Sequence, residues 1–442
     1  MHRLQERYIS RTPESARAFG QARQWMADGV AGDVKRVHPH PPQLRGGRGS
    51  YLEDVDGNRM LDMRRGASSL IFGHSFPPVM AAIRRQLEAG LLLSLPTHLD
   101  AELAERVCTH MPPVERVRFV NSGSEATIFA VRAARAVTGR PLIAKFEGSF
   151  HGHANESLLV STGTMREGPA ERPTSVAACA GLAPHVIDDV LVLPFDDPDS
   201  ARTLIEQHAD ELAAVVMEPL PVSGAVNPPG PRLLQTVRDA TRQVGALLVF
   251  DEMITGFRLG LGGASAYFGV TPDLVAMGKV LGGGMPIGAY GGDAQVMASV
   301  AVGDGSGPTI RQSGTFSGYP LSMAAGVATL DELERRDVYP DLRDFGAQLR
   351  AGLADAVHAA GVDAQVSGIE SLFHITFTDK PVTPRRAAAA GDPVKHRVFC
   401  LGMMAEGVFM MPGQPGFLSA AHTADDVAYF VEAVGRVLPA LD

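Results

Sequence analysis

The sequence predicts an α/β fold: a mostly parallel sheet sandwiched by helices in a large domain, plus a smaller α+β domain drawn from both chain ends. Three observations predict it. The runs AAVVMEPL (Ala213–Leu220), GALLVFDE (Gly245–Glu252) and DLVAMGK (Asp273–Lys279) are short, continuously apolar and charged towards the end. Strands that lose polar alternation are covered on both faces. Helical segments such as Gly230 to Val244 separate these runs, which is the rhythm of a parallel sheet. Beyond Arg335 the chain changes character, and helices mix with short strands.

In chain order, the first 30 or so residues read as a polar helical arm, and Val34 to Gly49, rich in Pro, Gly and basic residues, as an extended loop. SYLEDVDGNRMLDM reads as a hairpin around Asp56-Gly57-Asn58, because Asp-Gly accepts positive φ. From Pro77 to Thr109 apolar residues recur at three and four, with a break at Leu95-Pro96. Arg116 to Val120 is a strand, Asn121 to Ser124 a turn, and Glu125 to Val137 a helix opened by Ser and Glu. Pro141 to Gly148 is the next strand. A long helix covers Leu321 to Arg335. Then come helix Leu342–Ala360, strands near Ser371–Phe377, a loose loop Thr378–Pro393, helix His396–Glu406 and a closing helix Ala424–Leu438. The expected domains are 1–75 (arm and part of the small domain), 76–325 (large) and 326–442 (small). No internal repeat occurs.

Composition narrows the class. The chain has 442 residues, 45% apolar and 20% charged, with a net charge of −9. That is a globular composition. No basic block exists to neutralise phosphates, so nucleic acid is not an expected partner. No run approaches the roughly 20 apolar residues of a membrane helix, and the N-terminus lacks the apolar core of a signal peptide. The three cysteines, Cys108, Cys179 and Cys400, are far apart, so neither a disulfide framework nor a cysteine zinc site is expected. A reducing cytoplasm is the expected compartment.

Lys279 closes an apolar strand and precedes Val-Leu-Gly-Gly-Gly. A lysine there either snorkels at the strand end or acts, since burial lowers its pKa and yields a nucleophilic amine able to form a Schiff base. The glycines after it are expected to let a bulky cofactor approach the backbone. Asp251 closes GALLVFD, one strand–helix–strand unit earlier, which puts both groups at the same sheet edge. An aspartate there either caps a helix or pairs with a protonated ring nitrogen, as enzymes using pyridoxal 5'-phosphate (PLP) require. Ser122-Gly123-Ser124 stands at a helix start, where amides, dipole and hydroxyls suit phosphate, although capping explains it equally. Thr315, in Gly-Thr-Phe-Ser-Gly, either supplies a further phosphate hydroxyl or sits in a plain turn. Phe150 offers a ring to stack on a flat cofactor. His151 and His153 have metal-ligand spacing without a third ligand nearby, so no metal is expected.

Together FVNSGSEAT, KFEGSFHGH, VVMEP, ALLVFDEMITGFR, YFGVTPDLVAMGKVLGGGMPIGAYGG, GTFSGYPLSMAAG and SAAHTADDV resemble the class III (ω-type) aminotransferases, and most nearly the glutamate-1-semialdehyde 2,1-aminomutase-like subgroup. The resemblance implies fold-type I, PLP as cofactor, and a homodimer with sites at the subunit interface. Lys279 then resembles the Schiff-base lysine and Asp251 the pyridinium partner. Ser122, Gly123, Ser124 and, from the neighbouring subunit, Thr315 resemble the phosphate clamp. Phe150, with His151 beside it, takes the ring-stacking place and Met253 the opposite ring face. Glu218 resembles the acid near the cofactor's hydroxyl end. Substrates are an amino donor and a carbonyl acceptor. Three places depart from the aminomutase pattern: Ala67 stands for a Trp, Ser223 for an Asn, and PGQPGFLSAAH lacks a Glu. All lie at the substrate end. They imply a transaminase of a bulkier carbonyl compound, such as an amino-sugar, with an intramolecular aminomutase or a small amino/keto acid transaminase as the alternative.

Overall fold

The computed structural model describes residues 1–163, 165–222, 225–301, 310–382 and 391–441. Two compact units divide the chain. The first takes residues 1–76, 225–226 and 340–441; the second takes 77–222 and 227–339.

The first unit opens with helices His2–Arg11 and Pro13–Ala22 and with strands β1 (Leu44–Arg48), β2 (Tyr51–Asp54) and β3 (Arg59–Asp62). Asp56, in the expected hairpin turn, does a second job. Its carboxylate accepts the Glu14 and Ser15 amides at 2.6 and 2.9 Å and so caps the second helix.

The second unit holds a seven-stranded sheet. Its strands are β4 (Arg116–Val120), β5 (Leu142–Phe146), β6 (Val190–Leu193), β7 (Leu212–Met217), β8 (Leu247–Asp251), β9 (Leu274–Gly278) and β10 (Gly288–Gly292). Their order is β4-β10-β9-β8-β7-β5-β6. All pairs are parallel except the two made by β10. The apolar runs follow from double coverage. On β7, Ala214 and Val216 pack with the Gly123–Thr138 helix side, whereas Val215 and Met217 pack with Leu204, Ile205 and Val237 on the other side. Each such buried side chain contributes about 1.5–3 kcal/mol.

Strand β10, GAYGG, carries no strand signal in sequence, because glycine is poor in strands. Packing explains it. A Cβ on Gly288 would strike the Ser122 carbonyl, one on Gly291 the Arg116 carbonyl, and one on Gly292 the Asp273 carbonyl. The expected boundary at 325/326 falls inside helix Pro320–Arg336, which packs on helices Pro77–Ala89 and His98–His110 and stays in the second unit.

The chain then returns to the first unit. Helix Tyr339–Ala360 leads into β11 (Gln365–Ile369), β12 (Leu372–Thr376), helix Pro393–Ala405, β13 (Val408–Phe409), β14 (Gly416–Phe417) and helix Ala424–Val437. Strand β13 joins β3 in parallel, and β11-β12-β14 form an antiparallel sheet. Tyr8, Met60, Leu401 and Met404 share one core, so the two chain ends fold as one body. Of the expected loose loop, 383–390 lie outside the described residues.

Candidate active site

Four adjacent parallel strands end at one edge of the large sheet, and each delivers a polar group there. Asp251 closes β8 opposite Ala276 of β9, and Lys279 follows β9 directly. Glu218 follows β7, and the segment Glu147–His153 follows β5.

Asp251 is held on both oxygens. Its Oδ2 lies 2.8 Å from His151 Nδ1, and its Oδ1 accepts the Met253 amide at 3.1 Å. The pair is sealed, with the His151 side chain 0% and the Asp251 side chain 3% exposed. The other imidazole nitrogen, Nε2, is buried without a hydrogen-bond partner. His151 is therefore a carboxylate partner by geometry. Among the described residues no group of three or more His, Cys, Asp and Glu is placed to hold a metal.

Glu218 acts on backbone. Its Oε1 accepts the Phe150 amide and its Oε2 the Val222 amide, both at 3.2 Å. The Phe150 ring stays 47% exposed, an apolar face turned outward beside these buried groups. Met253 lies between Gly123 and Gly278: a Cβ on either glycine would meet its sulfur at 2.6 or 3.0 Å.

The turn after β4 splits its labour. Ser122 is a helix cap, since its Oγ accepts the Glu125 amide at 3.2 Å while Glu125 Oε2 accepts the Asn121 and Ser122 amides. This capping box uses an acceptor lone pair of the Ser122 hydroxyl and leaves its O–H as a donor. The amides of Gly123 and Ser124 head the Gly123–Thr138 helix with no acceptor among the described residues. Together with the helix dipole they form an anion-binding end. Ser124 Oγ also accepts the His153 amide at 3.3 Å.

Lys279 is half-buried and adopts φ 48°, a left-handed conformation unusual for a residue with a side chain. Such strain persists only where the surroundings over-determine it. Two of the glycines after it pack against protein. Gly282 faces the Ile287 side chain, and Gly283, at φ 56°, faces the Thr329 hydroxyl of the Pro320–Arg336 helix. They let the turn pack against protein.

Thr315 is exposed in a turn whose Gly314 lies beside Asn121. Ala67 belongs to the first unit, in a run where Arg65, Gly66, Ala67 and Ser68 all have positive φ, 51° to 81°. The segment lacking the Glu is tied by Arg64, which donates to Gln414 Oε1 at 2.8 Å. Ser223 lies outside the described residues.

Two groups escaped sequence reasoning. The His151–Asp251 pair joins residues a hundred apart, and only the sheet order brings them together. Glu252 is fully buried and accepts the Ala264 and Ser265 amides at 2.6 and 2.9 Å and the Ser265 and Thr255 hydroxyls at 2.6 and 3.0 Å. Burial pushes its pKa up, and the hydrogen bonds oppose that. It staples the turn that carries Asp251 and Met253.

A carboxylate fixed from two sides, an amine at the next strand end, a helix N-terminus and an outward aromatic ring fit a phosphorylated pyridine aldehyde. The fold and this donor set define a fold-type I, PLP-dependent enzyme. Residues 34–418 match the model of the family described as "Aminotransferase class-III", and the chain belongs to that family. A curated relative named glutamate-1-semialdehyde 2,1-aminomutase 2, from Brevibacillus brevis, is 40% identical over 95% of this chain and 97% of its own. Among solved structures, an omega-transaminase from Sphaerobacter thermophilus superposes with a TM-score of 0.91 at 39% identity, covering 97% of this chain and 98% of that one. A β-phenylalanine aminotransferase from Variovorax paradoxus gives 0.88 at 32%, covering 98% and 96%.

Proposed function

We propose that the chain transfers the amino group of a small amino acid to a keto acid or aldehyde. The observation that carries the transaminase part of this reading is that every cofactor-side motif is present while Ala67 and the Glu-less stretch 412–422 depart from the aminomutase pattern, and the small amino acid follows the names of the relatives rather than those departures. When bound, PLP supplies a carbonyl for the amino group and a ring that draws electrons from the substrate carbon. The chain's own residues do the rest. The Lys279 amine receives and returns the proton at the reacting carbon. Asp251, held by His151 and the Met253 amide, keeps a positive ring nitrogen paired. The Gly123 and Ser124 amides take the phosphate, Phe150 and Met253 flank the ring, and Glu218 holds the Phe150 backbone in place.

The active unit is read as a homodimer in which Thr315 reaches the partner's phosphate. Its exposure, and the exposed Leu91, Leu92, Leu93 and Leu95, support that reading. The cytoplasm remains the proposed compartment; among the described residues no helix is long and apolar enough to cross a membrane.

A second reading, an intramolecular aminomutase, is favoured by the name of the 40% relative. The omega-transaminase at 39% is as similar, so identity does not divide the two. The larger amino-sugar substrate has no counterpart in the names of these relatives. The deciding experiment mixes the PLP-loaded enzyme with single amines and amino acids and follows cofactor absorbance and products. A spectral change with a small amino acid, followed by amination of an added keto acid, supports the transaminase. Isomerisation of glutamate-1-semialdehyde with no added donor would replace it by the mutase.

A further inference from the structure

We propose that Lys145 is a positioning residue for the cofactor end of the site; the inference rests on the reading above. Lys145 is the fourth residue of β5 and is wholly buried. A buried ammonium is costly unless its protons find acceptors. Lys145 Nζ donates to the carbonyls of Ser149, Leu158 and Val160 at 3.0, 2.9 and 2.7 Å, and lies 2.9 Å from Thr162 Oγ1. All four acceptors belong to one excursion of chain, 149–162. An apolar side chain at 145 would leave three buried carbonyls without this donor.

The excursion carries the site. The Phe150 amide donates to Glu218, His151 pairs with Asp251, and the His153 amide donates to Ser124. These contacts reach three other elements, β7, β8 and the Gly123–Thr138 helix. Lys145 grips the chain just before them, at Ser149, and again just after, at Leu158 and Val160. It thus sets the register of Phe150 and His151 without touching the cofactor's place. A shift of about 1 Å at such a point costs on the order of 10²-fold in reactions that depend on alignment.

The test uses the full chain without cofactor and then titrated with PLP. Lys145→Met keeps length and removes the charge. Its expected outcome is amide hydrogen exchange across 149–162 faster by about tenfold or more, with PLP binding weakened about 10- to 100-fold. Thr162→Val removes one acceptor and moves both readings the same way, less far. Leu204→Ala, buried on the opposite sheet face, lowers the melting temperature without either change. The proposal is overturned if folded Lys145→Met keeps parent exchange and parent affinity, if exchange rises while affinity stays, or if Leu204→Ala reproduces both effects. Should Lys145→Met fail to fold, Thr162→Val decides alone, and parent values there overturn it. A parent chain that takes up no PLP overturns this inference and the functional reading together, whereas the other outcomes leave the reading standing.

Discussion

Both units bury titratable side chains, and the large unit's carboxylates and the small unit's histidines are satisfied in opposite ways. In the large unit the buried carboxylates Asp251, Glu218 and Glu252 each accept backbone amides, and Asp251 has an imidazole as well. Their oxygens are met by donors where they stand. The small unit also buries carboxylates, Asp54, Asp62 and Asp426, and beside them it buries histidines. His374 and His396 stack at 5.5 Å with both Nε2 atoms unpartnered, and His422 faces the Arg65 guanidinium at 3.0 Å. Burial drives their pKa values down, to about 3, 4 and 3, with His396 adding to the shift of His374 and Arg65 to that of His422. Burial thus meets the large unit's carboxylates with donors and forbids a charge on the small unit's histidines. The first serves chemistry; the second makes stability depend on pH.

The sharpest break of this comparison is Lys279→Ala. It removes the amine that the large unit positions. Turnover is expected to fall at least 10²–10⁴-fold, the scale of a lost proton-transfer group, while the melting profile and oligomeric state hold. A Lys279→Ala protein with parent turnover, measured by product formation, would end the proposed mechanism.

Acid is the next lever, and the sign follows from the histidines. Their folded pKa values lie below the ordinary 6.5, so the unfolded chain binds more protons as pH falls. Stability from their neutrality is full above about pH 6.5 and is lost towards pH 4. Each contributes a slope of up to roughly 1.4 kcal/mol per pH unit in that window. Denaturant midpoints from pH 7.5 to 4.5 should fall, and His374→Phe with His396→Leu should flatten the curve. A double variant as acid-sensitive as the parent would refute this assignment. The carboxylates Asp62 and Asp426, held low by His74 and by Tyr51 hydrogen bonding against their burial, add a loss only at lower pH.

His151→Phe tests the large unit's carboxylate side. It takes one partner from a buried carboxylate, and losses of about 1.5–3 kcal/mol are typical for hydrogen bonds to charged groups. Weaker PLP retention and a displaced pH–rate profile are expected, read by equilibrium dialysis and initial rates. A profile superposable on the parent's would show that Asp251 does not need the imidazole. Thr315→Ala should weaken retention by a similar 1–3 kcal/mol, and a fully active monomer at assay concentration would contradict its proposed reach to the partner.

Much of this was legible in sequence, for physical reasons that particular residues show. Strands β7 to β9 announce themselves because coverage on both faces leaves no polar alternation, and their terminal Glu218, Asp251 and Lys279 follow from parallel topology. Strand β10 was hidden, because its glycines answer to carbonyls of Ser122, Arg116 and Asp273 that only the fold brings near. The same holds for Lys145 and for His151: sequence shows a lysine in a strand and a histidine after it, not the carbonyls and carboxylate they meet. Ser122 was readable both as cap and as phosphate ligand, and the capping box with Glu125 shows the cap.

The smallest effect concerns backbone strain, which the two units also distribute differently. Among the large unit's strand ends Lys279 is such a residue, whereas the small unit has three, Arg65, Ala67 and Ser68, around Gly66. A left-handed residue with a Cβ costs roughly 1–2 kcal/mol. Glycine at such a place removes that cost but adds about 0.5–1 kcal/mol of unfolded-chain entropy. Ala67→Gly should therefore stabilise the chain by no more than about 1 kcal/mol, seen as a slightly higher denaturant midpoint. Ala67→Trp should do the reverse, since a bulky residue resists positive φ. The family's aminomutase pattern carries that Trp, so the pair of variants separates backbone from substrate effects. If Ala67→Trp changes selectivity between a small and a bulky amino acid while Ala67→Gly does not, side-chain volume at 67 governs the substrate. If both shift selectivity alike, the turn's conformation governs it, and the Ala at 67 is a consequence of strain rather than of the substrate.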